Sequence, residues 1–275
     1  MARLFALVGN RQDLGSRVLQ HEREALAARK LPSAVGWGLG FYQGGEVLLR
    51  RRPLDAREDL DFSEIATDVR SDVVIGHIRT PTIGSLETEN THPFRYRQWL
   101  YAQTGTVPHF SLIRSRLLES IPEFLRGSIR GDTDAEVVFH LLLSFLYDDN
   151  ALRDSAAAPE AVASAVRSTF ALLEGIVAEH GIAPIELNMI VCGGESAVAA
   201  RRGSPMALRE FQGRRDAEAL IGDDVALRRK VPELDRVHFT LVASDLDDGV
   251  PLGGWSSIES GGVVIVERDS WRLVE

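Results

Sequence analysis

The sequence predicts an α+β fold in a single domain, because strand patterns at both ends of the chain flank a block of helical patterns. Short apolar runs that are typical of buried strands occur near the N-terminus and again after residue 186. Between residues 110 and 180 the apolar positions recur with helical spacing. No linker separates these blocks, so we expect residues 1–275 to form one domain with two sheets and helices around them.

The N-terminal elements follow from local patterns. The apolar run 3–8 predicts a buried strand, and helical spacing of apolar residues predicts a helix at 16–29. Residues 36–42 and 46–51 flank a Gln-Gly-Gly turn, which predicts a hairpin. Another buried strand is predicted at 73–78 and a weaker one at 98–102, with a polar loop at 80–93 between them.

The rest of the chain is predicted as helices followed by strands. Helices are expected at 110–120, 134–147 and 159–180, and Thr133 with Glu136 predicts a capping box at the start of the second. Strands are expected at 186–192, 196–202, 238–244, 262–267 and 271–274. The charged stretch 209–236 gives no firm assignment.

Composition excludes several classes of protein. The net charge of −9 and the pI near 5.4 argue against nucleic acid or an anionic membrane as a partner. The apolar runs are shorter than a membrane span, so we expect a cytoplasmic protein. Cys192 is the single cysteine, which excludes an internal disulfide or a Cys-rich zinc site, and its apolar run favours a buried strand residue over a nucleophile.

Generic cofactor and catalytic motifs do not fit this chain. The glycines of the run 36–40 have the wrong spacing for a dinucleotide site and lie in a hairpin, and there is no Gly-Lys-Ser/Thr phosphate loop. No Gly-x-Ser-x-Gly elbow occurs, and no two histidines lie four residues apart. We therefore expect no cofactor and no metal site.

Five segments in order carry a specific resemblance. They read Met-Ala-Arg-Leu-Phe-Ala-Leu-Val-Gly at 1–9, Gly-Trp-Gly-Leu-Gly-Phe-Tyr at 36–42, Gly-His-Ile-Arg-Thr-Pro-Thr-Ile-Gly at 76–84, Asn-Thr-His-Pro-Phe at 90–94 and Thr-Asp-Ala-Glu at 133–136. The pairs and triplets at 187–188 and 242–244 also fit. Together they resemble class II glutamine amidotransferases in their compact single-domain form. The resemblance implies a four-layer αββα sandwich of the N-terminal-nucleophile hydrolase type.

In active members of the family, the thiolate of an N-terminal cysteine attacks the side-chain amide of glutamine, and an Asn-Gly pair stabilises the oxyanion. Here the cysteine position is Ala2, whose methyl group cannot attack a carbonyl. The oxyanion asparagine is replaced by Thr104, while Gly105 keeps its backbone N–H. Because two catalytic positions differ together, natural loss of cysteine-dependent glutaminase activity explains Ala2 better than an engineered substrate trap.

The positions that hold substrate in the family are kept. By resemblance, Arg79 would bind the substrate carboxylate, Asp134 the ammonium group, and Thr82 and His92 would complete the pocket. A structural role is the alternative, since Asp134 would also stabilise the first turn of its helix. Trp37 and the glycine run around it are expected to pack beneath the site.

Three functional hypotheses follow. The first is a protein that binds glutamine or a γ-glutamyl compound without cysteine-dependent catalysis. The second is an active amide or γ-glutamyl hydrolase whose nucleophile is Thr104, Ser85 or a bound water. The third is a non-catalytic scaffold for a protein partner that the sequence does not identify.

Overall fold

A computed structural model describes residues 3–26, 36–53, 62–80, 84–85, 87–153, 157–246 and 253–274. The strands are β1 (Arg3–Gly9), β2 (Gly36–Gln43), β3 (Glu46–Pro53), β4 (Val73–Arg79), β5 (Phe94–Tyr96), β6 (Trp99–Thr106), β7 (Glu186–Cys192), β8 (Ala197–Arg201), β9 (Met206–Gln212), β10 (His238–Ser244), β11 (Trp255–Ile258), β12 (Val263–Glu267) and β13 (Ser270–Val274). The helices are α1 (Gly15–His21), α2 (Arg23–Leu26), α3 (Phe62–Ile65), α4 (Phe110–Glu119), α5 (Glu123–Arg126), α6 (Asp134–Asp148), α7 (Pro159–Glu179), α8 (Gly213–Ile221) and α9 (Val225–Lys230).

The strands form two antiparallel sheets. Over the described ranges, one sheet has seven strands in the order β11-β9-β10-β1-β4-β2-β3. The other has six, in the order β13-β12-β8-β7-β6-β5. The long, buried strand β1 lies in the middle of the first sheet, between β10 and β4.

Three apolar cores separate four layers. Side chains such as Ala6, Ile75 and Ile190 fill the space between the two sheets. Phe139 and Phe170, from α6 and α7, pack with the outer face of the six-stranded sheet. Val18 and Leu220, from α1 and α8, pack with the outer face of the seven-stranded sheet. The architecture is therefore the αββα sandwich that the family resemblance implied.

Several predicted elements need correction. The helix expected at 16–29 is interrupted at Glu22, and its end falls partly outside the described residues. The strands β5, β9 and β11 and the helices α3, α5, α8 and α9 were not predicted, and β6 extends beyond the weak strand expected at 98–102. The capping box is half formed: the Thr133 hydroxyl accepts from the Glu136 backbone N–H, but the Glu136 carboxylate accepts from the N–H groups of Arg130 and Gly131.

Helix α7 is long and apolar enough to cross a membrane by length and composition alone, which corrects the expectation that no segment approaches that limit. Half of its most apolar window is buried in the protein. Val166, Phe170 and Leu173 belong to the core beside the six-stranded sheet. This is the pattern of a core helix in a globular fold.

Candidate functional site

A cavity of about 350 Å³, lined by many polar residues, lies where strands of both sheets meet the beginning of α6. Its walls come from the ends of β4 and β6, the start of β7, the first turn of α6 and the loops that follow β8 and β10. Strand β1 begins beside it, because Leu4 pairs with His77 on one side and with Ser244 on the other. A cavity of this size suits a small molecule.

Arg79 lines the cavity from the last position of β4. Its side chain is buried, and its guanidinium donates to the backbone carbonyls of Ser85 at 3.0 Å and Gly84 at 3.2 Å. Burial lowers the pKa of Arg79 from its ordinary value, while the nearby charge of Asp132 opposes that shift. Arg79 therefore places a positive charge in the cavity wall and fixes the short segment 84–85.

Asn90 connects that segment to the loop before α6. Its amide nitrogen donates to the Ser85 hydroxyl at 2.9 Å and to the Asp132 carboxylate at 2.6 Å. Its carbonyl oxygen accepts from the Asp132 backbone N–H at 3.0 Å. Asn90 is buried and lines the cavity. Its side chain therefore connects the segment 84–85, which contacts Arg79, to the loop that precedes Asp134.

Asp134 also lines the cavity, from the first turn of α6. Its carboxylate accepts from the Val107 backbone N–H at 2.7 Å. Burial raises the pKa of Asp134 to about 6, and hydrogen bonds from backbone N–H groups act against that rise. The site thus holds a carboxylate whose ionisation changes near neutral pH, in a position that could receive a cationic group.

His77 and His92 form a buried pair in the same wall, with ring centroids 4.1 Å apart. Burial lowers the pKa of His77 to about 3, helped by the charge of Arg79. Burial also lowers the pKa of His92 well below its usual range, and His77 adds to the effect. Both imidazoles are therefore neutral at pH 7 and contribute polarity without charge.

The glycine run of β2 supports His92 from outside the cavity. A Cβ atom at Gly38 would overlap the backbone carbonyl of His92, so only glycine permits this approach. Arg51 of β3 donates to the neighbouring Thr91 carbonyl at 3.0 Å. Trp37 packs against the core between the seven-stranded sheet and its helices. The hairpin thus positions the segment that carries His92.

Gln103, Thr104 and Gly105 of β6 all line the cavity. The Thr104 hydroxyl lies 3.4 Å from the Ser244 hydroxyl. Gly105 has a φ of +88° and approaches β7 so closely that a Cβ would overlap the Glu186 carbonyl. Gln103 is buried, and its carbonyl oxygen accepts from the Tyr101 hydroxyl at 2.6 Å.

A hydroxyl and carboxylate network behind Thr104 was not predicted. Ser244 donates to one carboxylate oxygen of Asp245 at 2.6 Å, and Ser204 donates to the other at 2.6 Å. Asn188 donates to the Ser204 hydroxyl at 3.0 Å. The segments 187–188 and 242–244 were identified only as sequence matches; Ser244 contacts Asp245 directly, and Asn188 is linked to it through Ser204.

The structure therefore brings five predicted positions to one cavity: Arg79, His92, Thr104, Gly105 and Asp134. Ala2 and Thr82 lie outside the described residues, so their roles stay predictions. Cys192 lies in the core between the sheets, where burial raises its thiol pKa, as expected for a buried strand residue. Within the described ranges, no group of three or more His, Cys, Asp or Glu side chains could hold a metal ion.

An αββα sandwich with this cavity at the start of its first strand is the architecture of the N-terminal-nucleophile class. The profile of the family Glutamine amidotransferases class-II matches residues 1–272, and the chain belongs to this family.

Individual relatives agree with that assignment. The Saccharomyces cerevisiae protein named "Probable glutamine amidotransferase DUG3" is 24% identical over 271 residues, covering 91% of this chain and 74% of the yeast protein. A gamma-glutamyl-hercynylcysteine sulfoxide hydrolase from Mycobacterium tuberculosis is 33% identical over 92 residues, 33% of this chain and 40% of the hydrolase. The solved structure of a glutamine aminotransferase class-II domain protein from Silicibacter pomeroyi superposes with a TM-score of 0.62 at 21% identity, over 99% of this chain and 98% of that one.

Proposed function

We propose that this protein binds glutamine or a γ-glutamyl compound and lacks cysteine-dependent glutaminase activity. One observation carries the proposal: Arg79 and Asp134 line the same cavity, while residue 2 is alanine. A guanidinium and a carboxylate in one small cavity complement the carboxylate and ammonium groups of an α-amino acid. The names of the yeast and mycobacterial relatives point to the same two classes of ligand.

The absence of a thiol at residue 2 excludes a thiolate nucleophile at that position. Alanine offers no nucleophilic atom, and the only cysteine, Cys192, is buried between the sheets in the described part of the chain. The position of the oxyanion asparagine is also changed, to Thr104, whose hydroxyl lies beside Ser244. Binding without turnover by a thiolate is the function that fits both substitutions.

Calorimetric titration tests the proposal. L-glutamine, L-glutamate and a γ-glutamyl dipeptide are titrated into the wild-type protein, with D-glutamine as the control ligand. We expect saturable binding of at least one L-ligand at millimolar concentration or below, lost in Arg79→Ala and kept in the exposed control Arg116→Ala. Absence of binding for all of these L-ligands would reject the proposal.

The Thr104 environment favours a second candidate, a hydrolase with a relocated nucleophile. The Thr104 hydroxyl can pass its proton to Ser244, which already donates to Asp245. The threonine oxygen would then attack the γ-carbonyl carbon, the amine would leave with the proton that Ser244 had passed to Asp245, and water would hydrolyse the resulting ester to the γ-carboxylate and the free Thr104 hydroxyl. Ser85 is less suited, since its hydroxyl oxygen accepts a hydrogen bond from Asn90.

Product analysis distinguishes the two candidates. A hydrolase releases ammonia from glutamine, or an amine from a γ-glutamyl amide, in amounts that exceed one equivalent of protein. Thr104→Ala and Asp245→Asn should abolish that release, whereas Thr104→Ser should retain part of it. Binding without product in the wild-type protein would leave the first proposal and reject the second.

A further inference from the structure

Three polar side chains of the cavity wall have unsatisfied hydrogen-bonding groups. Among the residues that the structure describes, the Gln103 amide nitrogen and both ring nitrogens of His92 have no partner, whereas His77 is close enough to the Gln103 backbone for one weak hydrogen bond. All three side chains are buried. Buried polar atoms without partners are rare in folded proteins, and each one calls for a compensating contact.

Gln103 is the best oriented of the three. Tyr101 and Gln103 are two residues apart in β6, so their side chains lie on the same face of the sheet. The Tyr101 hydroxyl donates to the Gln103 carbonyl oxygen at 2.6 Å. Tyr101 is itself held by parallel stacking on Phe139, with ring centroids 5.1 Å apart. This contact fixes the carboxamide of Gln103, a residue of the cavity wall, and leaves its buried amide nitrogen without a partner.

The neighbours of Gln103 define the group that it could bind. Arg79 supplies positive charge in the same wall, and the neutral imidazoles of His77 and His92 add no charge of their own. An NH₂ group and a guanidinium in the wall of one cavity complement an oxygen atom with lone pairs, such as that of a carboxylate or an amide carbonyl. Asp134, by contrast, would repel such an oxygen.

We propose that Gln103 is a specificity-determining residue whose amide nitrogen donates a hydrogen bond to an oxygen acceptor of the bound ligand. The acceptor is either the α-carboxylate or the side-chain carbonyl of the amino acid. This inference rests on the proposed function for the identity of the ligand. The proposed hydrogen-bond donor differs from that of the family. In active members the oxyanion asparagine donates from this segment, whereas here Thr104 stands at that position and the donor is the side chain of Gln103.

Two variants of Gln103 and one matched control test the inference. Gln103→Met removes the donor with little change in volume, and Gln103→Glu replaces the donor with an acceptor. Gln98→Met is the control, because the Gln98 amide nitrogen already donates to the Leu152 carbonyl at 3.0 Å and lies outside the cavity wall. We expect Gln103→Met to weaken glutamine binding about tenfold, Gln103→Glu to weaken it further, and Gln98→Met to leave it unchanged.

Two ligand analogues identify the acceptor. L-Norvaline lacks the side-chain carbonyl, and L-glutamine methyl ester lacks the free carboxylate. If Gln103→Met weakens glutamine but not norvaline, the side-chain carbonyl is the acceptor. If it weakens norvaline but not the ester, the α-carboxylate is the acceptor. Either pattern supports the inference.

Acetate, the simplest ligand with the same oxygen acceptor, separates this inference from the proposed function. Thermal unfolding is followed with increasing acetate at constant ionic strength. Stabilisation of the wild type but not of Gln103→Met, without any binding of glutamine, would reject the proposed function and keep the inference. Glutamine binding that is equal in the wild type, Gln103→Met and Gln103→Glu would reject the inference and keep the proposed function. No stabilisation by acetate and no binding of glutamine would reject both.

Discussion

The carboxylate of Asp134 accepts a hydrogen bond from the Val107 backbone N–H at 2.7 Å, which ties the first turn of α6 to the residue that follows β6. This contact holds the carboxylate in the wall of the cavity that Arg79 also lines. Burial nevertheless raises its pKa to about 6. The charge that would bind an ammonium group therefore depends on pH in an accessible range.

Glutamine binding should weaken as the pH falls through 6. Below that value Asp134 is protonated in the unliganded protein, and an uncharged carboxyl group attracts an ammonium group less strongly. One pH unit below the pKa about a tenth of the carboxylate remains, so we expect roughly tenfold weaker binding at pH 5 than at pH 7.5. Calorimetry across this range measures the effect. In Asp134→Asn, binding should be weak and nearly independent of pH, and a wild-type pH dependence in that variant would contradict the assignment.

The histidine pair should make the fold sensitive to acid. The folded-state pKa of His77 is about 3, and that of His92 is also lowered, so the unfolded chain binds more protons than the folded protein below pH 6.5. Stability should therefore fall as the pH drops from 6.5, by up to about 1.4 kcal/mol per pH unit for each histidine. Urea unfolding at several pH values measures this slope.

His77→Gln serves as the comparison for that slope. It should show a shallower loss of stability on acidification, because one buried group no longer titrates. Asp134 acts in the opposite direction, because folding raises its pKa from 3.8 to about 6. Its contribution to stability is fully present below pH 3.8 and is lost as the pH rises through about 6. Asp134→Asn should thus steepen the acid dependence. Equal slopes in the wild type and His77→Gln would contradict the prediction.

Asn90 should matter for both stability and binding. Its side chain makes hydrogen bonds to Ser85 and Asp132, which belong to the two loops beside Arg79 and Asp134. Asn90→Ala removes these hydrogen bonds, but Ser85 and Asp132 are exposed and can bond to water instead, so we expect a loss of about 1 to 2 kcal/mol in the free energy of unfolding. Urea unfolding gives the stability, and calorimetry at low temperature gives the affinity of the folded fraction. Wild-type stability in Asn90→Ala would reject the role of this network.

Introducing a cysteine at residue 2 and an asparagine at residue 104, the positions that the proposal assigns to the nucleophile and the oxyanion donor, should produce ammonia release. Ala2→Cys introduces the thiol, and Thr104→Asn introduces the oxyanion donor. We expect little glutaminase activity in either single variant and measurable activity in the double variant, since one oxyanion donor is worth about 10²- to 10³-fold in rate. Ammonia release is measured after mass spectrometry has confirmed that the initiator methionine is removed. The Ala2→Ser/Thr104→Asn variant is the control, and activity equal to that of the wild type in the Cys/Asn variant would contradict the account.

Local patterns predicted most of the fold and part of the site. The apolar runs of β1, β4 and β10 were recognisable because both faces of these strands are buried. The Gly-rich hairpin was recognisable because a short turn separates its two strands. Strand β9 was not, because three of its last four residues are charged or polar and not buried, and they begin the charged stretch 209–236. The predicted helix at 16–29 was too long, since its spacing carries no signal for the interruption at Glu22.

Partners distant in sequence explain what was missed at the site. The motif that contains Asn90 was recognised, but its contact with Asp132 spans 42 residues and has no local signature. The same holds for Thr104 and Ser244, which are 140 residues apart. Gln103 was not among the predicted site residues, and the hydrogen bond that it accepts from Tyr101 has no signature in the sequence.

Calorimetric titration of L-glutamine and a γ-glutamyl dipeptide at pH 7.5 tests the central claim most directly. The wild-type protein, Arg79→Ala, Asp134→Asn and the exposed control Arg116→Ala are compared under identical conditions. The account predicts saturable binding to the wild type and to Arg116→Ala, and at least tenfold weaker binding to Arg79→Ala and Asp134→Asn. No binding to the wild type, or equal binding to all four proteins, would contradict it.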